Sequence, residues 1–275
     1  MASTKTTVVA LFQGSAKEGD VEANLSKMIT WMQEASKRGA ELIIFSELFV
    51  TDYVSMSEQE LKTLTQQKDG PAFKRLSAAA KDNNIAVIYG YPEVEVVSGE
   101  TCYYNSAQFI DSEGNSLVNY RKTHLWLCDK PIFTPGLEFS VVEWNGIKVG
   151  LLICFDIAFP EPARILALKG AQLIVVPTAM TPEYIDAQIV GSCGIRVRAQ
   201  ENRVFVAYVN HSGGDYVGHS SLCDPKGNVI VQAGAEETLL LSSVCLDELQ
   251  QVSFRYLPER RPRLYEDLVA TTSNT

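Results

Sequence analysis

Metal-binding patterns are absent from this chain. Its six cysteines (102, 128, 154, 193, 223 and 245) include no CxxC pair, and its three histidines (124, 211 and 219) keep no ligand spacing with them. Zinc ribbons and fingers are thereby excluded, and no metal is expected. Long apolar runs are missing too. None approaches the roughly 18 uninterrupted residues of a membrane span, so no membrane partner is expected. The opening MASTKTTVVALFQG lacks the apolar core of a secretory signal. The cytoplasm is therefore the expected compartment, and free thiols the expected state of the cysteines. Positive charge is in short supply: 24 Lys and Arg face 33 Asp and Glu, for a net charge of -9. Such a balance disfavours nucleic acid as a partner. No GxGxxG follows the early strands, which argues against a pair of dinucleotide-binding domains. No Pro/Gly/Ser-rich linker divides the sequence, so residues 1–275 are expected to form a single domain.

What the chain does contain is a repeat of itself. Residues 39–44 read GAELII and residues 170–175 read GAQLIV. Each follows a helical stretch (21–38 and 161–169), and each of those follows an apolar strand, VVALFQ or VGLLICF. Further polar-faced helical stretches, about 58–82 and 184–202, lead into IAVIYGY (85–91) and VFVAYVN (204–210). Two hairpin-like segments follow, 106–120 and 220–234, with matching Asp-x-x-Gly-Asn turns at 111–115 and 224–228. Each half reads strand–helix–strand–helix–strand–hairpin. Two such halves can stack sheet on sheet, giving an α/β fold of four layers, α-β-β-α. The tail from about 248 to 275 is too irregular for another core layer, and is expected to wrap over the sandwich or meet a partner subunit.

Three apolar runs carry reactive side chains at or near their ends: IIFSELF with Glu47, LVNYRKTHL with Lys122, and VGLLICFDIAFPE with Cys154. Runs of this kind read as buried strands, and in open α/β sheets chemistry gathers at the carboxyl ends of strands. A thiol, a carboxylate and an ammonium delivered there can be a nucleophile, its base and an electrostatic clamp. A free thiol with a pKa near 8.5 is only a few per cent thiolate at neutral pH, so a base is needed. His124 is read as a brace for its loop, and RVRAQENR (196–203) as a source of structural ion pairs.

In this order, the three segments resemble the nitrilase superfamily of carbon–nitrogen hydrolases, over nearly the whole chain from VALFQG (9–14) to RRPRLY (260–265). The resemblance implies the same sandwich, a homodimer or larger assembly paired through helices, no cofactor, and a Glu–Lys–Cys triad. Carried over by residue, Cys154 is the nucleophile, Glu47 the general base and acid, and Lys122 the stabilising cation. The backbone N–H of Phe155 would share the oxyanion with Lys122. Many members have a second glutamate seven or eight residues after the lysine. Here Asp129 stands at that place, one methylene shorter, and its carboxylate would sit about 1.5 Å back unless the loop compensates. Asp52 stands where relatives often have glycine.

The substrate implied is a small, largely uncharged amide, with water as the second reactant. Relatives acting on acidic amides or carbamoyl acids often place an arginine just after the cysteine. This chain has Phe155, Ile157, Ala158 and Phe159 there. Tyr53, Trp126, Phe159, Ala179 and Met180 are the expected pocket residues, with Tyr184 nearby. An arginine from a distant loop, such as Arg196, could still enter the site. Rival readings are an omega-amidase or N-carbamoyl-amide hydrolase, a nitrilase, and a catalytically inactive interaction scaffold. The Cys-Trp-Glu signature of true nitrilases is absent. The full triad argues against the scaffold.

Overall fold

The computed structural model describes residues 6–52, 57–182, 193–252 and 256–269. Strand β1 (Thr6–Gln13) shows how the sequence makes layers. Val9 and Leu11 join the core shared with the second sheet, while Ala10 and Phe12 join the core under the helices. A strand covered on both faces reads as a continuous apolar run, and this is why VVALFQ does not alternate. The helices covering it are α1 (Val21–Lys37) and α3 (Pro71–Asp82). Helix α1 starts at Asp20, whose side chain accepts the Ala23 N–H. It buries Leu25, Met28, Met32 and Ala35, one stripe at helical spacing.

The first sheet adds β2 (Leu42–Ile44), β3 (Ala86–Val97), β4 (Glu100–Ile110) and β5 (Ser116–Arg121). The second contains β6 (Val141–Trp144), β7 (Ile147–Leu151), β8 (Leu173–Thr178), β9 (Phe205–Asn210), β12 (Ser221–Cys223) and β13 (Val229–Gln232). Helices α4 (Pro160–Leu168) and α5 (Ile195–Asn202) belong to this half. A two-stranded ribbon, β10 (Ser212–Gly213) and β11 (Tyr216–Val217), stands apart. The last strand, β14 (Thr238–Cys245), returns to the first sheet. The sheet orders are β14-β1-β2-β3-β4-β5 and β13-β12-β9-β8-β7-β6. In both, three parallel strands are flanked by antiparallel ones. The α-β-β-α sandwich expected from the repeat is the observed fold.

The two turns match in detail. Asp111 and Asp224 each accept the N–H of the Asn four residues on, at 2.8 and 2.9 Å, and Gly114 and Gly227 have φ of +84° and +83°.

The structure corrects three sequence readings. The stretch 58–82 is two helices, α2 (Glu58–Thr63) and α3. Pro71 at the start of α3 disfavours helix at the residue before it, and Gln66 instead pairs its backbone with Pro92 and Val94 of β3. Strand β3 runs six residues past the expected Tyr91. Pro92 is tolerated inside it because its carbonyl, and hence its ring nitrogen, faces Gln66 and not the ladder to β4. Finally, β6 and β14 lie outside the strand–helix–strand–helix–strand–hairpin scheme. They occupy equivalent edges, antiparallel to β7 and β1. Part of the expected 184–202 helix lies outside the described residues. The described residues after β14 include four short 3-10 turns.

Candidate active site

Each of the three reactive residues sits just beyond a strand end. Glu47 follows β2 by three residues, Lys122 follows β5 directly, and Cys154 follows β7 by three. Glu47 and Lys122 are wholly buried, and Cys154 is half-buried. Cys154 opens a 3-10 turn (Cys154–Ala158) with φ +45°, a left-handed backbone unfavourable for a residue with a Cβ. The Phe155 N–H is in the first turn of that helix, where N–H groups lack intrahelical acceptors.

Lys122 Nζ is 2.8 Å from Glu47 Oε1 and 2.6 Å from Asp129 Oδ2. Asn105 Nδ2 donates to the same Glu47 oxygen at 2.8 Å, and the Asn105 carbonyl accepts the Lys122 N–H. One oxygen of Glu47 is thus held twice, while Oε2 is buried and finds no hydrogen-bond partner among the described residues. Asp129 has the same division. Its Oδ2 takes Lys122 and the Trp126 N–H at 2.9 Å, and its Oδ1 is buried without a partner. The shorter side chain reaches the site because 126–133 is coiled into tight turns, with Asp129 N–H on Trp126 O and Phe133 N–H on Asp129 O.

Burial works against the Lys122 ammonium, but the Glu47 and Asp129 carboxylates outweigh it and hold its pKa well above the ordinary lysine value. Burial first, and the Glu47 charge second, push the Cys154 thiol well above its usual range; Lys122 and a hydrogen bond from the Ala179 backbone pull the other way. The resting sulfur therefore keeps its proton.

Two glycines let the backbone carry these groups so close. A Cβ at Gly90 of β3 would lie 2.3 Å from Leu48 N and 2.7 Å from Ser46 O, on either side of Glu47. A Cβ at Gly136 would lie 2.2 Å from Arg121 O, where the Gly136 N–H now holds the Lys122 carbonyl.

The expected pocket residues are only partly brought together. Trp126 meets Phe155 edge-on at 4.7 Å, Phe155 meets Phe159 at 5.0 Å, and Phe159 stacks on His124 at 4.3 Å. Ala179 is buried and its backbone favours the Cys154 thiolate, and Met180 is half-buried with its N–H on Asn210 Oδ1 at 2.8 Å. Tyr53 and Tyr184 lie outside the described residues. Cys128 is exposed beside Asp129. Arg196 is turned to the second hairpin, its Nε donating to Gly227 O at 2.9 Å. In RVRAQENR, Arg198 does pair with Glu201 at 3.2 Å.

Three site residues escaped sequence reading. Asn105 holds Glu47 and Lys122 together. His211, wholly buried between the rings of Phe49 and Tyr216, donates from Nε2 to the Glu47 carbonyl at 2.6 Å; burial lowers its pKa, keeping it neutral. Asp156 joins the lysine loop to the cysteine turn, and the signal for it was a lone charge inside LLICFDIAF. His124 braces its loop against Asp156, in keeping with its expected role. Among the described residues, no group of three or more His, Cys, Asp or Glu is placed to hold a metal ion, and no helix is long and apolar enough to cross a membrane.

Comparison with known proteins agrees with this geometry. The carbon-nitrogen hydrolase family model matches residues 8–254. A hydrolase encoded in the pqqF 5' region of Pseudomonas protegens is 40% identical, over 98% of this chain and 94% of its own. An (R)-stereoselective amidase of Pseudomonas sp. is 33% identical, over 92% and 91%. Among solved structures, an amidase from Nesterenkonia sp. superposes with a TM-score of 0.81 at 29% identity, covering 98% of both chains. With a family match over most of its length, this chain belongs to the carbon–nitrogen hydrolases of the nitrilase superfamily and is an amidase-type enzyme.

Proposed function

We propose that the protein hydrolyses small, largely uncharged carboxylic amides to the acid and ammonia through a thioester on Cys154. The observation that carries this is the divided Glu47 carboxylate: Oε1 is fixed by Lys122 and Asn105, and Oε2 is left without a partner in a buried site that also holds a protonated thiol. Oε2 takes the Cys154 proton as the sulfur bonds to the amide carbon. The carbonyl electrons move to oxygen, where Lys122 and the Phe155 N–H stabilise the charge. Glu47 passes its proton to the nitrogen, the C–N bond breaks, and ammonia leaves a thioester. Water then attacks, again losing a proton to Oε2; the C–S bond breaks, the thiol regains its proton, and the acid departs.

Charge supports the neutral substrate. Two carboxylates face one ammonium here, so an additional carboxylate on the substrate would enter a field of its own sign. The arginines nearest in sequence to Lys122 and Cys154 are engaged elsewhere, Arg121 with Glu93 and Glu95 and Arg164 with the Glu201 carbonyl, and Arg198 donates to the carbonyls of Ile157 and Ala158. Trp126, Phe155 and Phe159 offer an apolar wall instead. The Nesterenkonia amidase has been solved with acrylamide and with butyramide, both small and uncharged.

Rates on propionamide, benzamide, 2-oxoglutaramate, an N-carbamoyl amino acid and a simple nitrile, compared at equal concentration, test the reading. The neutral amides are expected to lead. Preference for either carboxylate-bearing substrate, or for the nitrile, would overturn the substrate class and leave the Cys–Glu–Lys chemistry standing.

A further inference from the structure

Lys122 and Cys154 come from different sheets, yet the chemistry needs the ammonium and the sulfur in fixed relation. One buried side chain spans the two segments. Asp156 is 0% exposed. Its Oδ2 accepts the Tyr120 hydroxyl at 2.7 Å and the Ile153 N–H at 2.9 Å. Its Oδ1 accepts the Thr123 hydroxyl and the His124 N–H, both at 2.8 Å, and lies 2.9 Å from His124 Nδ1. Residues 120, 123 and 124 bracket Lys122, and residue 153 precedes Cys154. A carboxylate accepts at both oxygens and donates nothing when ionised, so a single group can hold donors from two chain segments at once. Neutral Asn would turn an NH2 towards donors and break half the set.

We propose that Asp156 is a positioning residue that sets the separation of the Lys122 ammonium from the Cys154 sulfur, and thereby the stabilisation of the oxyanion; this rests on the thioester reading above. It touches no reacting atom. Its influence runs through the backbone on either side of Lys122 and through the turn that opens at Cys154. Lys122 keeps its own contacts with Glu47 and Asp129, so loosening this link shifts the ammonium without releasing it. Displacements well under 1 Å at a reacting centre are enough to slow the chemistry severalfold.

The test uses Thr123→Val and Tyr120→Phe, each removing one donor to Asp156, with Asp156→Asn as the stronger and riskier change. Thr123→Val is expected to lower kcat about tenfold on a small amide, with KM within about twofold and a near-normal melting temperature. Thr123→Ser, which restores the hydroxyl, should return most of the loss. A second readout needs no substrate: the pH profile of Cys154 alkylation by iodoacetamide. Glu47, Lys122 and Tyr208 face that sulfur. Retreat of the ammonium alone removes its favourable field from the thiolate, so the profile should move to higher pH. Unchanged kcat and an unchanged profile in both single-donor variants would overturn the proposal. So would losses that track the melting temperature and are not rescued by serine. If the wild-type protein turned over no amide, the functional reading would fail, and the alkylation profile would still decide the role of Asp156.

Discussion

Replacing Gly90 with alanine should disable the enzyme from outside its reactive set. The new Cβ would sit 2.3 Å from Leu48 N and 2.8 Å from the Glu47 carbonyl carbon, about 1 Å short of ordinary contact. All the nearest atoms are backbone, so no side chain can swing away. The 46–48 segment must move by about that distance, or β3 must move with it. Glu47 Oε1 is held at 2.8 Å by both Lys122 and Asn105, and a 1 Å shift takes these bonds beyond hydrogen-bonding range. A misplacement of that size costs about 100-fold in rate. Overpacking should cost about 1–3 kcal/mol of stability, a fall of roughly 2–6 °C in Tm for a chain of this size. Gly39→Ala separates the two effects. Gly39 has φ +83° and nothing within 4 Å of where a methyl would sit, so alanine there brings strain of about 1 kcal/mol with no collision near Glu47. Steady-state ammonia release, alongside thermal melts, should show Gly90→Ala crippled and Gly39→Ala active. A Gly90→Ala enzyme within threefold of wild-type kcat would refute the reasoning, because Glu47 would then tolerate the displacement.

Cys154→Ala should abolish turnover while the fold survives, and near-normal ammonia release from that variant would defeat the nucleophile assignment. Glu47→Gln should be nearly as damaging, because the amide preserves the contact with Lys122 but cannot cycle a proton; an acyl-enzyme that still forms and hydrolyses at normal speed in rapid-quench experiments would count against it. Asp129→Asn should be milder, about 10- to 100-fold, since Lys122 keeps its bond to Glu47; a loss equal to that of Glu47→Gln would show Asp129 to be a partner in proton transfer. Because burial and the Glu47 charge raise the Cys154 pKa, its proton is retained to higher pH. Alkylation at Cys154, read by peptide mass, should still accelerate above pH 9, and a plateau below pH 8 would mean a preformed thiolate.

The elements that depend on neighbours in sequence are legible from the amino acids alone. GAELII and GAQLIV end in equivalent parallel strands, the two Asp-x-x-Gly-Asn turns close the same way, and Glu47 and Lys122, from separate motifs, meet at 2.8 Å. What is not legible depends on pairing across long stretches of chain. Asn105 and His211 reach Glu47 across separations of 58 and 164 residues. Neither carries a local pattern: Asn105 is one polar residue in the strand sequence YYNSAQF, and His211 follows another strand. The edge strand β14 is similar, because TLLLSSVC fits several neighbours equally well until the sandwich selects one. The break between α2 and α3 is visible as Gly70–Pro71, but its reason, the pairing of Gln66 with β3, is not.

The placement of β14 also orders events during synthesis. Thr6 is paired with Cys245, and the whole of β1 lies between β2 and this last strand. As the ribosome releases β5, the first sheet has everything except its closing edge, and β1 waits with one row of backbone groups unpaired. At roughly 5–20 residues per second, translation of the residues from 121 to 245 takes on the order of 6–25 s. For that interval the nascent chain presents a strand edge that neighbouring chains could pair with. Chaperone contact would be most useful in that window, and slower translation of the second half would lengthen the exposure. A protein whose last strand finishes its first sheet is therefore more vulnerable while it is being made than after it is complete.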